Sequence, residues 1–272
     1  MALTGADLLV AELARHGIRW VATLCGNGLN PFYLACRKAG IRLVDAHNEQ
    51  AAAYIADTYA RLTGQLGVCA VSSGIAHCNA LTGGANAYFD GAPVLLITGA
   101  SAGYGARRGV FQEFDQVALA APICKSSSLV TRATDLAYMV RQAIAAASAG
   151  RQGPAHLTVP LDVLEGQVDE PAEGPARMLA GIRTVVRPEP ERVREAAKLV
   201  SHSRRPLIIA GTGACYARAR DEVMEFSETA AIPIVVPIWD RGVVEEPHPN
   251  FLGVVGAASG EPRLLADADL VI

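Results

Sequence analysis

Val68-Cys-Ala-Val-Ser72 and Val94-Leu-Leu-Ile-Thr98 are two short runs separated by a segment of small residues that reads as a helix at about Asn79–Tyr88. Neither run alternates polar with apolar positions. A strand that is apolar throughout is one covered on both faces, and a helix between two such strands implies a parallel sheet. The same rhythm extends toward the N-terminus. Thr4-Gly-Ala-Asp7 is a capping-box variant opening a helix that buries Leu9 and Leu13 and ends at Gly17. Trp20–Leu24 is a strand, Gly26–Asn30 a loop, and Pro31 opens a helix through Ala39 with Gly40 as its stop. Ile41–Asp45 is the next strand. The helix Asn48–Thr63 follows, with Ala52, Ile55, Ala56, Tyr59 and Ala60 on one face and Gly64 closing it. Toward the C-terminus come a strand at Ile123–Val130, a helix at Thr134–Ala149 and a strand at Ala155–Val159.

Residues 166–190 are rich in Pro, Gly and charge and interrupt this pattern. They divide the chain into a parallel-sheet α/β domain at 1–165, a linker at 166–189 and a second, Rossmann-like α/β unit at 190–272. The second unit holds a helix at Glu189–Ser201, a strand at Leu207–Ala210, a helix at Arg218–Ala230 and a strand at Ile234–Val236. Ala268-Asp-Leu-Val-Ile272 reads as a buried strand whose covering helix is missing, so this middle domain is expected to be truncated.

Composition narrows the function. Half of the 272 residues are hydrophobic (51%), 19% are charged, and the net charge of −3 is mixed in sign. No basic stripe is present, which argues against nucleic acid as a partner. Asp7, Glu12 and Arg15 interrupt the N-terminal apolar stretch, unlike a signal peptide. Runs such as Val94–Ile97 and Val117–Ala121 are far too short to span a bilayer. Six cysteines (25, 36, 69, 78, 124 and 215) form no CxxC pair and no metal-ligand spacing. They read as small, reduced core residues of a cytoplasmic protein.

Several stretches in fixed order resemble one family. They are His47-Asn-Glu-Gln-Ala-Ala-Ala-Tyr-Ile-Ala-Asp-Thr-Tyr-Ala-Arg-Leu-Thr-Gly64, Val71-Ser-Ser-Gly-Ile-Ala-His-Cys-Asn-Ala-Leu-Thr-Gly83 and Phe111-Gln-Glu-Phe-Asp115. Arg151-Gln-Gly-Pro154, Val159-Pro-Leu-Asp-Val163 and Arg205-Pro-Leu-Ile-Ile-Ala-Gly-Thr-Gly213 extend the likeness over nearly the whole chain. Together they resemble the pyrimidine-binding and middle domains of the acetolactate synthase-like, thiamine-diphosphate-dependent enzymes.

The resemblance implies a role for Glu49: hydrogen bonding to N1′ of the cofactor's aminopyrimidine. Such a carboxyl shares a proton at N1′ and so makes the 4′-amino group basic enough to take the weakly acidic C2 proton. Read from position alone, Glu49 is an acid in a helix's first turn, where the dipole favours it. Asn27, in the Gly26-Asn-Gly-Leu-Asn30 loop, and Ile75 and Asn79 fall where relatives contact the pyrimidine. Ser73-Gly-Ile-Ala-His-Cys-Asn79 departs from the commoner Gly-Pro-Gly-Ala-Thr-Asn run, and equally reads as a strand-to-helix turn with Asn79 near its start. His77 reads as structural. Phe111 and Gln112 match positions near the substrate, Gln112 either donating to a carboxylate or carbonyl or capping a loop.

Gly211-Thr-Gly213 after a strand fits a nucleotide, and some relatives hold FAD or an ADP-like group there with help from an Arg such as Arg151. The Mg²⁺ ligands of the family lie in a Gly-Asp-Gly … Asn motif, and no Gly-Asp-Gly occurs in these residues. The metal ligands are therefore expected outside this chain. A homodimer or tetramer is expected, with Ala51, Ala52, Ala53 and Ala56 admitting a second backbone at a subunit boundary. The implied activity is that of a carboligase or decarboxylase acting on 2-oxo acids or related small carbonyl compounds. The alternatives are a C–C lyase or hydrolase of the same superfamily, or a non-catalytic nucleotide-binding or split subunit.

Overall fold

The computed structural model describes residues 3–106, 108–168, 187–238, 242–244, 247–255 and 264–272. It forms two compact units, Met1–Arg183 and Thr184–Ile272. Most of the expected linker, residues 169–186, lies outside the described residues.

In the first unit the order is β1 (Leu3–Thr4), α1 (Gly5–Arg15), β2 (Trp20–Leu24), α2 (Asn30–Lys38), β3 (Arg42–Asp45), α3 (Glu49–Thr63), β4 (Gly67–Val71) and α4 (Ile75–Asp90). Then come β5 (Val94–Ala100), α5 (Gln116–Ala120), β6 (Ser126–Leu129), α6 (Leu136–Ser148), β7 (Pro154–Pro160), α7 (Leu161–Glu165) and β8 (Gln167–Val168). Six strands form one parallel sheet in the order β3-β2-β4-β5-β7-β6, the α/β arrangement that the apolar strands imply. The capping box is present: Asp7 N–H donates to Thr4 Oγ1 at 3.2 Å and Thr4 N–H to Asp7 Oδ2 at 3.0 Å.

The two faces of the sheet are covered differently. On one side α1, α2 and α6 bring Leu9, Leu13, Phe32, Leu136, Val140 and Ile144 onto Val68, Ala70, Leu95 and Ile97. On the other, α3 and α4 lay Ala52, Ala53, Ala56, Ala60, Ala80 and Ala87 onto Cys69, Val71, Val94 and Leu96. Small residues let backbones approach closely. A Cβ on Gly67 would stand 2.1 Å from the Ala56 carbonyl oxygen, and one on Gly83 2.6 Å from the Ala53 Cβ.

This corrects the expected role of the alanines. Ala52, Ala53 and Ala56 are fully buried against α4 and β4 of their own chain, so the backbone they admit is an internal one, and Ala51 is exposed. Ile55, expected on the buried face, is 36% exposed, because the buried stripe of α3 runs through Ala52, Ala53, Ala56, Asp57 and Ala60 and leaves position 55 to one side.

Other boundaries also move. α4 begins at Ile75 rather than near Asn79, directly after Gly74, which takes φ +64. The strand expected at Ile123–Val130 shortens to β6 because Pro122 heads a 3-10 turn over Ala121–Ile123. β8 falls within the expected linker yet pairs antiparallel with β1, Leu3 opposite Val168. Cys36, Cys69 and Cys124 are buried as expected, whereas Cys25 and Cys78 are exposed; all six thiols are free.

The second unit holds α8 (Pro190–His202), β9 (Pro206–Ile209), α9 (Thr212–Ala217), α10 (Arg220–Ala230), β10 (Ile234–Pro237), β11 (Phe251–Val255), α11 (Leu264–Asp267) and β12 (Leu270–Val271). Its sheet is parallel, in the order β11-β10-β9-β12. The helix expected at Arg218–Ala230 is preceded by the separate α9, because Arg218 takes φ +57 and breaks the helical run. β12 is an edge strand and Val271 is 50% exposed, where a buried strand was expected. Asp269 anchors it, accepting hydrogen bonds from Ser203 Oγ and the Arg204 and Arg205 N–H groups. These donors pull its carboxyl down to about 2.

Two histidines lie inside the first unit. His156 of β7 is satisfied: Nε2 lies 2.8 Å from Thr98 Oγ1 and Nδ1 2.8 Å from Ser127 Oγ. His77 of α4 packs between His156, 4.7 Å between ring centroids, and Phe114 at 6.3 Å, and neither of its ring nitrogens has a hydrogen-bond partner. That is the structural histidine expected. Burial is the main cause of both shifts, pulling His77 down to about 4 and His156 to about 3; the nearby Gln116 backbone opposes the first and the His77 ring adds to the second.

Two outcomes follow. Gly67→Ala should destabilise the chain by about 1–3 kcal/mol in urea unfolding, since the Ala56 carbonyl is rigid backbone. The histidines set a pH slope. Unfolded, each ring takes a proton below about 6.5, while the folded rings stay neutral until about 3–4, so their stability contribution is full above about 6.5 and falls with pH beneath it. The decline should approach about 1.4 kcal/mol per pH unit for each ring, and His77→Leu should make the urea midpoint measurably less sensitive between pH 7 and 5.

Candidate functional site

The expected site residues gather at the carboxyl edge of the six-stranded sheet. Asn27 follows β2, Glu49 follows β3, Ile75 and Asn79 lie on α4 after β4, and Gln112 lies between β5 and α5. The chain passes from β2 out to β3 and then returns to place β4 on the other side of β2, so the strand order reverses there. Crevices at such reversals are where open α/β sheets receive ligands.

Glu49 is the first residue of α3, whose N-cap Asn48 accepts a hydrogen bond from Gln50 N–H at 2.8 Å. The close packing of α3 on α4 brings Glu49 to Asn79. Asn79 Nδ2 donates to Glu49 Oε2 at 2.9 Å, and Oε1 has no hydrogen bond among the described residues. Asn79 is thus one turn inside α4, and its amide holds a carboxylate oxygen instead of capping the helix. Glu49 is half-buried. Its charge adds to burial in holding the Cys69 thiol up at about 12. Ile75, beside them, is 63% exposed.

Asn27 is fixed from both sides. Its carbonyl accepts from Ser72 Oγ, and its own Oδ1 accepts from Gly28 N–H at 3.0 Å. It borders a cavity of about 280 Å³ that Gly28, Ser73, Tyr104 and Phe111 also line.

Gln112 borders a larger cavity of about 470 Å³ with Ser73, Ala100, Val110, Phe114 and Leu129. It is held in the left-handed region, φ +59, which costs a non-glycine residue strain. Its side chain occupies the space a Cβ on Gly74 would need, the two standing 2.4 Å apart. Gln112 therefore does not cap a loop here: no hydrogen bond of its side chain is present among the described residues. The two lining acids are turned to the backbone, Glu113 accepting from Gly109 and Val110 N–H and Asp115 from Ala118 N–H.

The structure thus joins Glu49 with Asn79, and sets Asn27 and Gln112 on two cavities that share Ser73 and Ala100 through Ala102. Sequence reasoning passed over Gln116, which donates to and accepts from four neighbours beneath the larger cavity. The only signal was an uncharged polar residue directly before the apolar run that begins at Val117. Arg151, expected beside a nucleotide, instead donates to the Tyr88 and Phe89 carbonyls at the end of α4, at 2.8 and 2.7 Å. Gly211 and Thr212 open the short α9, and a Cβ on Gly213 would meet open space. Among the described residues there is no cluster of three or more His, Cys, Asp or Glu side chains able to hold a metal ion, and no helix long and apolar enough to cross a membrane.

Comparison with known proteins shows the family. Residues 3–119 match the family described as thiamine pyrophosphate enzyme, N-terminal TPP binding domain, and residues 193–272 match its central domain. Acetolactate synthase of Arthrospira platensis is 37% identical over 93% of this chain and 45% of its own length. A probable acetolactate synthase large subunit of Methanocaldococcus jannaschii is 34% identical over 93% and 43%. The 2-hydroxyacyl-CoA lyase 2 of Mus musculus is 33% identical over 98% and 47%. The chain spans a little under half the length of these curated relatives. With a parallel α/β domain and a second parallel unit each matched by its own family domain, the chain belongs to the thiamine pyrophosphate enzymes.

Proposed function

We propose that this chain is the pyrimidine-binding and middle-domain half of a thiamine-diphosphate-dependent carboligase or decarboxylase acting on 2-oxo acids. The domain limits we assign are 1–165, a linker at 166–189, and 190–272. The observation that carries the reading is Glu49 at the carboxyl edge of the sheet, one oxygen held by Asn79 at 2.9 Å and the other unpartnered among the described residues. A half-buried carboxyl oriented on one side and open on the other suits a proton-sharing contact to a ring nitrogen. Ile75 offers an apolar surface beside it, Asn27 a fixed polar loop, and Gln112 an uncharged donor toward the substrate.

When bound, thiamine diphosphate supplies a carbon nucleophile at C2 of its thiazolium. Glu49 holds the proton at N1′, Asn79 orients Glu49, and Gln112 is the group we assign to substrate contact. Mg²⁺ and the diphosphate would be held by residues outside this chain. FAD or an ADP-like group, if held by the second unit, draws on Gly211–Gly213, since Arg151 is committed to α4. The outer surfaces of α3 and α4 expose Ile55, Leu62, Ile75 and Phe89, which supports a homodimer or tetramer. The free cysteines suit a reducing compartment, the cytoplasm.

One observation favours a second reading. Among the described residues the larger cavity is walled by Ala100, Ala102, Ala106, Val110 and Leu129, and none of those described residues that line it is a Lys or an Arg. Such walls suit an acyl chain better than a second carboxylate, in keeping with a C–C lyase acting on 2-hydroxyacyl compounds. Comparing kcat/KM for a 2-oxo acid and a 2-hydroxyacyl thioester distinguishes the two.

Glu49→Gln keeps the shape and removes the shareable proton. In the polypeptide completed by a diphosphate-binding half, it should slow C2 hydrogen–deuterium exchange of bound thiamine diphosphate at least about 100-fold, with circular dichroism unchanged. An unaltered exchange rate removes Glu49 from the role. The 272-residue chain alone should show no tight, Mg²⁺-dependent thiamine diphosphate binding by calorimetry, and adding the diphosphate-binding half should restore it. Tight binding by the chain alone would relocate the metal site into it.

A further inference from the structure

Gln116 opens α5, is 4% exposed, and has both polar atoms of its side chain engaged. Oε1 accepts the Gly74 N–H at 2.8 Å. Nε2 reaches Thr98 Oγ1 at 3.1 Å, the Gly99 carbonyl at 3.1 Å and Thr158 Oγ1 at 3.2 Å. Those two hydroxyls also meet His156 Nε2, at 2.8 and 3.3 Å. A single amide therefore ties the start of α4 to the carboxyl ends of β5 and β7. Gly74 immediately precedes Ile75, lies one helical turn and a residue from Asn79, and carries Gln112 packed on its α-carbon.

We propose that Gln116 is a positioning residue for the cofactor site: through the Gly74 N–H it sets the start of α4, and so where Ile75 and Asn79 stand against Glu49. The inference rests on the pyrimidine-binding role given to those residues above. The site's key contact, Asn79 to Glu49, joins two helices, so its geometry depends on where each begins. α3 is fixed by its Asn48 cap. Gly74 has no side chain with which to cap α4, and the Gln116 amide instead holds the Gly74 N–H, the group that an acid at the third helical position holds in a capping box.

The role needs an acceptor and a donor on one neutral group, which gives it a chemical signature. Gln116→Glu preserves the shape. As the neutral acid it still accepts from Gly74 N–H and donates to the Gly99 carbonyl; ionised, it sets a buried charge against that carbonyl. Burial favours the neutral form, so the variant works below the raised pKa of its carboxyl and fails above it. The titratable groups facing this network are His156 and His77, both neutral above about pH 5. The Glu113 and Asp115 carboxylates are turned to backbone N–H groups. A pH response present in the variant and not in the parent thus originates with the introduced carboxyl.

The test uses the polypeptide completed by its diphosphate-binding half and compares each variant with the parent at about pH 5.5 and about pH 8. Thiamine diphosphate affinity and C2 hydrogen–deuterium exchange are the readouts, with circular dichroism and melting temperature as fold controls. Gln116→Glu should bind about tenfold more weakly than the parent at the higher pH and recover most of that loss at the lower. Gln116→Met should be weak at both. If Gln116→Met does not fold, the two-pH ratio of Gln116→Glu decides alone. Variants within about twofold of the parent at both pH values, a loss in Gln116→Glu that ignores pH, or a lowered melting temperature with unchanged affinity and exchange would each overturn the inference. Were the parent itself to show no C2 exchange, the cofactor reading would fall and take this inference with it; exchange in the parent beside unaffected variants overturns this inference alone.

Discussion

The close approach of α3 to β4 and α4 is the constraint on which the rest of the first unit depends. Gly67 lies against the Ala56 carbonyl and Gly83 against the Ala53 methyl, at distances no side chain would allow. Dispersion energy falls off steeply with separation, so a layer of alanines stabilises the sheet only if the backbones come this near. The chemistry of the site follows from that nearness. Glu49 and Asn79 are 30 residues apart and belong to different helices, and their 2.9 Å contact exists because the two helix axes are drawn together by small residues.

The opposite face of the sheet is built in another way, and the difference divides the labour. Phe32, Leu9, Leu13, Leu136 and Ile144 make a thick hydrophobic layer that carries much of the burial. Freed from that task, the alanine side can hold polar groups that a packed core would exclude. Asp57 and Asp90 share the Asn86 amide at 2.8 and 2.9 Å, with Arg61 3.0 Å from Asp90. Burial raises the Asp57 carboxyl, while the Asn86 amide and Arg61 oppose the shift. His77, His156 and Gln116 form a second polar group, away from Asp90 and toward the carboxyl ends of β5 and β7. Each is a buried polar group whose cost is offset by a partner, except at His77, where neither nitrogen is satisfied and the ring is kept neutral by its surroundings.

What the sequence made legible was whatever depends on local periodicity. Runs such as Val94–Ile97 are apolar at every position, and the stop read at Gly64 is a glycine in the left-handed conformation, so the parallel sheet and its helices could be read directly. Elements whose limits depend on backbone dihedrals could not. Nothing in Ile75-Ala-His-Cys78 announces a helix start, because the start is made by Gly74 at φ +64 and by an amide 42 residues away. Arg218 splits α9 from α10 by a single left-handed residue that carries no compositional mark. The site was legible in part for the same reason. Glu49 announced itself through its segment, whereas Gln116 acts through tertiary contacts that spacing does not encode. The alanines of α3 were read correctly as a surface for close approach, but the approaching backbone was that of the chain itself.

An edge assembled in this way is open on the side away from its own sheet. Every candidate group projects from a loop or a helix start beyond the strands, and the polar atoms beneath them are already consumed: Gln116 by four partners, His156 by three hydroxyls, Glu113 and Asp115 by backbone N–H groups. Glu49 Oε1 and the Gln112 amide stand apart from that network, with no hydrogen bond among the described residues. A framework that pairs most of its interior polar atoms and leaves a few groups unpaired at one edge is preorganised, since those groups need not break internal bonds to meet a ligand. The rigidity comes from the buried network and the alanine layer, and the groups the network leaves out are the ones free to meet a ligand.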